Sequence, residues 1–251
     1  GTTAGEVVWS AVRELGGKEK GIFHTAEIAG HGSISSDYGA VVTPACAFVA
    51  TANCLLASGL VPNFVDVDLD TLNLDPLSTV IKDHGVIAVQ FVATMGKPNP
   101  VKEVAKIAEI HDLWLVGDFC EAHGALFKAE KSPTGEQLYQ PADHLCDAVI
   151  YSFYAAHLIV GGEGGIICTD DDDLAALCRS IKSHGRPPGS IEFDFQRVGT
   201  NAKWNELCAA VALEGLEKFD ETFARRREIR ARLLEGLRPV EEHRLILYHD
   251  D

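Results

Sequence analysis

Strand-like and helix-like segments alternate along most of the chain, and this alternation constrains the fold more than any single motif. Short runs of β-branched and apolar residues, such as 86–92, are followed by longer segments with apolar residues at helical spacing, such as 100–111. Strands made of continuous apolar runs are covered on both faces, and helical connections join successive strands in parallel. The sequence therefore predicts an α/β fold with a mainly parallel central sheet flanked by helices.

The same patterns predict where the elements lie. The predicted strands are 40–43, 63–67, 86–92, 113–118, 147–153 and 165–169. The predicted helices are 5–15, 45–58, 76–83, 100–111, 171–183, 203–219 and 222–237. Residues 17–37 have weak periodicity and many Gly and Ser residues, which predicts a long loop or insertion. Sheets of this kind bind ligands at the carboxyl ends of their strands, where we expect Asp118 and Ser152.

The charge of the chain excludes several classes of partner. It has 37 acidic and 22 basic residues and a net charge of −15. A surface this acidic repels phosphate backbones and anionic membranes, so we expect no nucleic-acid and no membrane partner. An arginine cluster at 225–227, 230 and 232 is interpreted as a solvated helix face rather than a ligand patch. Because there is neither a signal peptide nor an apolar run of about 18 residues, we expect a soluble, cytoplasmic protein.

The seven cysteines form no metal-ligand pattern. Their number is odd, no two are spaced as CxxC, and most lie in apolar runs such as 166–168. They are predicted to be small core residues in a reducing compartment. We therefore predict no metal site.

Two segments carry groups suited to a binding site. Asp118 ends a predicted buried strand, where its carboxylate either caps the next segment or keeps a heterocyclic nitrogen protonated, as in pyridoxal phosphate enzymes. Residues 1–4, Gly-Thr-Thr-Ala, precede a helix, so their N–H groups and hydroxyls form either an anion site or a capped chain start. These residues alone leave both alternatives open.

Six segments follow one another in a recognisable order. They are 1–4, 43–51, 59–73, 118–124, 152–165 and 199–206. Together they resemble the DegT/DnrJ/EryC1/StrS family of sugar-nucleotide enzymes, which have the aspartate-aminotransferase-type (fold type I) structure and use pyridoxal or pyridoxamine phosphate. The resemblance implies a large domain at 1–236 and, at 237–251, the start of a truncated or missing C-terminal small domain.

The resemblance implies contacts to the ring of the cofactor. Asp118 would pair with the pyridine nitrogen, which makes the ring an electron sink, and Phe48 would lie against the ring. Glu121 stands where the family often has a glutamine near the ring oxygen. One departure is Ala93, which replaces the family's histidine before a nearby turn.

The resemblance also implies contacts to the phosphate of the cofactor. Thr2 and Ser152 would hold it with their side chains, and Gly1 and Thr3 would contribute backbone groups. Asn201 would reach the phosphate of the neighbouring subunit. This last contact implies a homodimer with shared active sites.

The segment Ser152-Phe-Tyr-Ala-Ala-His157 carries a histidine at the family's Schiff-base lysine position. Imidazole does not form the covalent link that lysine makes with the cofactor, but it moves protons near neutral pH because its ordinary pKa is about 6.5. The other interpretation of His157 is a satisfied core histidine. One branch of the family, the 3-dehydratases of NDP-4-keto-6-deoxyhexoses, similarly has Ser-Phe-Tyr-x-Ala-His, although its usual second histidine is Leu158 here.

The likeness to that branch implies an enzyme dependent on pyridoxamine or pyridoxal phosphate. It would remove the C3 hydroxyl of a nucleotide-linked 4-keto-6-deoxy sugar with His157 as the base. Two alternatives stay open. One is a sugar-nucleotide aminotransferase with glutamate as amino donor, whose lysine was lost or replaced. The other is a non-catalytic relative that binds a ligand or regulates.

Overall fold

The computed structural model describes residues 1–16, 39–77, 85–98 and 100–241. Its strands are β1 (Ala40–Pro44), β2 (Val61–Val65), β3 (Val86–Val92), β4 (Trp114–Asp118), β5 (Leu126–Lys128), β6 (Tyr139–Pro141), β7 (Ala148–Ser152) and β8 (Gly165–Cys168). Among the described residues, the main sheet has the order β2-β1-β3-β4-β7-β8, and β5 pairs with β6 separately. All neighbours in the main sheet are parallel except β8, which runs antiparallel to β7.

Helices connect the strands and follow the sheet. They are α1 (Thr2–Leu15), α2 (Val49–Ala57), α3 (Val101–Ile110), α4 (Asp172–Ile181), α5 (Glu206–Glu217) and α6 (Phe219–Glu241), with 3-10 turns at Thr94–Gly96 and Ala142–Leu145. Side chains cap two of these helices: Asp171 accepts the N–H of Leu174 in α4, and Asn205 accepts that of Cys208 in α5. None of the described helices is both long and apolar enough to cross a membrane.

Both faces of the sheet are covered, as its apolar strands require. Along β4, Trp114 and Val116 join the core that includes α1, α2 and α4, whereas Leu115 joins the core that includes α3. Successive residues of a strand point to opposite faces, so β4 lies inside the molecule on both sides. The largest fully buried side chains of the two cores are Trp9 and Phe91.

The predicted elements are largely confirmed. The strand at 86–92 has the predicted bounds, and the other described strands and helices lie within a few residues of their predicted ends. The predicted start of the helix at 45–58 was wrong, because 45–47 form a bend and α2 begins at Val49. The β5–β6 pair was not predicted.

Three predictions fall wholly or partly on positions that the structure does not describe. The loop at 17–37 lies outside the described residues, and so does most of the helix at 76–83. The domain boundary predicted after residue 236 falls inside α6, and residues 242–251 are outside the described part. The division into domains therefore stays a prediction.

The parallel strands all end at one edge of the sheet, where antiparallel β8 begins. The N-terminus of α1 lies at this edge, because the Gly1 nitrogen donates to the Gly164 carbonyl at 3.1 Å. Helix α1 packs against α2, α4, β7 and β8. A Cβ at Gly5 would lie 2.6 Å from the Cys54 Sγ, so glycine is needed where α1 approaches α2. The fold thus brings a helix N-terminus to the strand ends.

Candidate active site

Asp118 and Ser152 end the adjacent strands β4 and β7, as predicted. Asp118 is half-buried and Ser152 is 3% exposed. Ser152 lies beside the start of α1, because a Cβ built on Gly1 would be 3.1 Å from the Ser152 Cβ and 2.9 Å from the Cys120 Sγ. The structure therefore brings Gly1, Ser152 and the residues after Asp118 together at one edge.

The backbone is closely packed where Gly1 meets Ser152 at the carboxyl ends of the strands. Gly165 pairs with Ser152 across β7 and β8. A Cβ on Gly165 would lie 2.7 Å from the Tyr151 carbonyl oxygen and 3.0 Å from the Gly1 nitrogen, so no side chain fits there. We call Gly1, Thr2, Thr3, Ser152 and Gly165 the phosphate cradle.

The phosphate cradle offers hydrogen-bond donors to an anion. No side chain of the described segments caps the N-terminus of α1, and both threonines of its first turn are exposed. The first N–H groups of a helix have no partner within the helix and carry a partial positive charge. Together with the Ser152 hydroxyl, they offer the kind of donors to which phosphate binds at helix N-termini, and phosphate binding here stays a prediction.

Asp118 supplies a carboxylate that forms no ion pair with a side chain in the described part of the chain. Its Oδ1 accepts the N–H of Cys120 at 3.1 Å, and among the described residues no Lys, Arg or His forms an ion pair with it. Burial, together with Glu6 and Asp118, raises the pKa of the Cys54 thiol to about 12. Burial and then Asp118 also raise the pKa of Cys120. Both neighbouring thiols therefore stay neutral, and the Asp118 carboxylate can attract a protonated heterocycle.

The Glu121 carboxylate already has a hydrogen-bond partner in the protein. Its Oε2 accepts the N–H of Met95 at 2.7 Å, and Met95 has the left-handed φ of 54°. The Glu121 carboxylate thus stabilises the turn after β3, directly following the buried Ala93. A role near the ring oxygen stays a prediction, and a cofactor would have to share this carboxylate with the turn.

Phe48 and Asn201 are both exposed. Phe48 is the N-cap residue of α2 and is 77% exposed, so its ring is free to contact a ligand. Asn201 pairs with Ser183 through an isolated bridge, and its side chain has no hydrogen bond within the described residues. Its predicted contact with a neighbouring subunit stays a prediction.

His157 lies in the loop between β7 and β8. It is half-buried, and its Nδ1 is buried without a hydrogen-bond partner among the described residues. The backbone N–H of His157 donates to the Tyr154 carbonyl at 3.0 Å, and the backbone carbonyl of His157 accepts a hydrogen bond from Nη2 of Arg226 at 3.2 Å. A satisfied core histidine would have both nitrogens paired, so this geometry does not favour that interpretation.

The loop around His157 is anchored by aromatic packing. The Phe153 ring stacks on Trp204, with centroids 5.2 Å apart and an interplanar angle of 18°. The Trp204 Nε1 donates to the Glu163 carbonyl at 2.7 Å. At Gly164, where φ is +140°, a Cβ would lie 2.5 Å from the Trp204 ring. These contacts hold His157 on a constrained backbone.

His123 is a site residue that the sequence interpretation missed. It is 6% exposed, and its ring centroid lies 5.1 Å from Tyr151 and 6.5 Å from His157. Neither ring nitrogen has a hydrogen-bond partner among the described residues. Burial, and then the proximity of His157, lowers its pKa to about 4, with a smaller opposing effect of the Ser152 backbone. The available signal was a histidine inside the segment 118–124, which was already expected at the cofactor.

Comparisons with known proteins identify the family and the fold of the chain. The model of the DegT/DnrJ/EryC1/StrS aminotransferase family matches residues 32–251. A dTDP-4-dehydro-2,6-dideoxy-D-glucose 3-dehydratase of Saccharopolyspora spinosa is 33% identical over 223 residues, which cover 78% of this chain and 46% of the relative. The crystal structure of DesI in the presence of its TDP-sugar product matches with a TM-score of 0.69 and 34% identity, over 80% of this chain and 48% of that one.

A more distant structure covers more of the chain. The aminotransferase from Psychrobacter cryohalolentis matches with a TM-score of 0.74 and 20% identity, over 96% of this chain and 56% of that one. The predicted fold type I α/β architecture is thereby confirmed. The chain spans about half the length of the curated relatives it matches. Pyridoxal or pyridoxamine phosphate is the cofactor of the family. With 220 residues covered by the family model (32–251), the chain belongs to the DegT/DnrJ/EryC1/StrS aminotransferase family.

Proposed function

We propose that the full-length protein removes the C3 hydroxyl of a nucleotide-linked 4-keto-6-deoxy sugar, with His157 as the base and pyridoxamine or pyridoxal phosphate as cofactor. The observation that carries this proposal is the position of His157. By the resemblance of its segment to the family, it stands at the lysine position, and its Nδ1 is buried without a partner among the described residues. The relative from Saccharopolyspora spinosa, which is named as a 3-dehydratase, supports the same reaction class.

The edge of the sheet fits the cofactor in two places. The phosphate cradle offers helix N–H groups, threonine hydroxyls and the Ser152 hydroxyl, at a corner that excludes any side chain from position 165. Asp118 offers a carboxylate without a cationic partner among the described residues, and it would keep the ring nitrogen protonated. When bound, the cofactor supplies an electron sink that lets a hydroxyl leave a neighbouring carbon.

The chain's own residues then perform positioning and proton transfer. Phe48 would orient the ring by lying against it. His157 would accept a proton from the C4′ carbon of the cofactor at its Nε2, since its Nδ1 faces the buried side. Imidazole suits this step because it releases the proton again near neutral pH. The hydrogen bond from Arg226 to the His157 carbonyl would keep the base in place.

The second candidate function is a sugar-nucleotide aminotransferase with glutamate as amino donor. The family description favours it. Against it, this chain has His157 at the position where the resemblance to the family predicts the lysine that links covalently to the cofactor. In either case we propose a homodimer in which Asn201 reaches the partner's phosphate site.

One incubation separates the candidates. The full-length protein is mixed with pyridoxamine phosphate and an NDP-4-keto-6-deoxyhexose, with and without glutamate, and the sugar is analysed by mass spectrometry. Deoxygenation gives a product lighter by one oxygen and releases the cofactor's amine nitrogen as ammonia. Transamination leaves the nitrogen in the sugar. His157→Ala should lower the rate of product formation by about 100-fold or more.

His111→Asn is the matched control, because His111 is an exposed histidine after α3, at the opposite edge of the sheet. It should keep wild-type turnover. An amino sugar as the product would refute the dehydratase proposal in favour of the aminotransferase. Cofactor binding without any product would favour the non-catalytic relative.

A further inference from the structure

The buried imidazole of His123 lies next to the half-buried imidazole of His157. The centroids of His123 and His157 are 6.5 Å apart, with an interplanar angle of 43°. Both nitrogens of His123 and the Nδ1 of His157 are buried and have no hydrogen-bond partner among the described residues. Such orphaned polar atoms are costly to bury, and most are satisfied by a partner or by an internal water.

The distance between the rings excludes a direct hydrogen bond but suits one bridging water. A ring nitrogen lies roughly 1.2 Å from its centroid, so the nearest nitrogens are separated by about 4 Å or more, beyond hydrogen-bond reach. A water with two hydrogen bonds spans about 4.5 Å between its partners. The Ser152 backbone, which lies close to His123, offers a further polar group.

The surroundings of His123 keep it neutral. Its neighbours are aromatic: Tyr151 at 5.1 Å and Phe153 at 6.2 Å between ring centroids. The Tyr151 hydroxyl is already used, since it donates to Asp143 at 2.7 Å. A neutral imidazole has one donor and one acceptor nitrogen, so His123 can accept a hydrogen bond from a water that itself accepts one from His157.

We propose that His123 is a positioning residue for His157, acting through one buried water that holds the proton of His157 on Nδ1. Because neutral imidazole carries a single ring proton, Nε2 of His157 then keeps a free lone pair on the side facing the cofactor. This inference rests on the proposed role of His157 as the base. It adds the group that selects the active tautomer of that base.

The test reads the tautomer directly, without turnover. The full-length protein is labelled with 15N-histidine, and long-range proton–nitrogen correlations are recorded without cofactor at about pH 8, where histidine is neutral. Wild-type His157 should carry its proton on Nδ1. His123→Phe should shift most of that population to Nε2–H, whereas His123→Gln, which still bonds to water, should retain Nδ1–H. His111→Asn should change nothing.

Turnover provides a second readout. His123→Phe should lower kcat by about 10- to 100-fold with little change in KM for the sugar, as for other residues that orient a catalytic group, and His123→Gln should restore most of it. A proton on Nε2 in wild-type His157, or a tautomer unaffected by His123→Phe, overturns the inference even if the wild type is active. The predicted tautomers in a protein without dehydratase activity would instead overturn the proposed function and leave the bridge intact.

Discussion

Replacing Gly165 with alanine tests the phosphate cradle. The added Cβ would lie 2.7 Å from the Tyr151 carbonyl oxygen and 3.0 Å from the Gly1 nitrogen. Both are backbone atoms, so neither can rotate away, and β7 or the start of α1 must move by several tenths of an ångström. Overpacking of this kind costs about 1–3 kcal/mol, which lowers Tm by roughly 2–12 °C in a chain of this size.

The same displacement separates Gly1 from Ser152, the two sides of the phosphate cradle. If about 1.4 kcal/mol of phosphate binding is lost, the Kd for pyridoxamine phosphate rises about tenfold. The assays are thermal unfolding by circular dichroism and calorimetric titration of the full-length protein with pyridoxamine phosphate. Gly236→Ala is the control, because outside the backbone of α6 itself no atom of the described residues lies within 4 Å of its added Cβ. It should stabilise by about 0.5–1 kcal/mol and leave the Kd unchanged. A lowered Tm with wild-type affinity in Gly165→Ala would refute the assignment of the phosphate cradle.

Three further substitutions have defined outcomes. Asp118→Asn removes the charge that would keep the ring nitrogen protonated, so the Kd for pyridoxamine phosphate should rise about tenfold or more by titration, and an unchanged Kd would contradict this role. Burial, and then His157, lowers the pKa of His123 to about 4 in the folded state, whereas an unfolded histidine titrates near 6.5. Between about pH 6.5 and pH 4 the unfolded state therefore binds more protons than the folded state. The free energy of unfolding should fall as the pH decreases through this range. Urea unfolding at several pH values should show a smaller fall in His123→Phe, and an identical fall would exclude the effect. Trp204→Ala removes the ring stacked on Phe153 and should cost about 2 kcal/mol, with faster limited proteolysis of the loop around His157; wild-type cleavage rates would mean that the stack does not anchor this loop.

How well the sequence predicts each part of the fold depends on the range of the interactions that form it. Strand β3 was predicted with its observed bounds, because six of its seven residues are apolar and a glycine precedes them. The start of α2 was misplaced because Ala45, Cys46 and Ala47 fit a helix locally, whereas the chain leaving β1 bends there. The strands of the β5–β6 pair have three residues each, which is too few to show a period of two.

The candidate site follows the same rule. Asp118 and Ser152 were predictable because each ends a strand, and the carboxyl ends of parallel strands share an edge. The role of His123 was not predictable, because it depends on the contact with His157, which lies 34 residues further along the chain. The close approach of Gly165 to Gly1 was likewise invisible, since it depends on the antiparallel pairing of β8 with β7.

The hydrogen bond between Arg226 and the His157 carbonyl couples the orientation of α6 to the position of the His157 backbone. The helix has 23 residues, and Arg226 lies in its second turn from Phe219. At 1.5 Å per residue, Arg226 is about 10 Å from the start of α6. A tilt of about 5° around that start would move its backbone by roughly 1 Å, enough to break a bond of 3.2 Å. The orientation of a surface helix is thus mechanically linked to the backbone that carries His157.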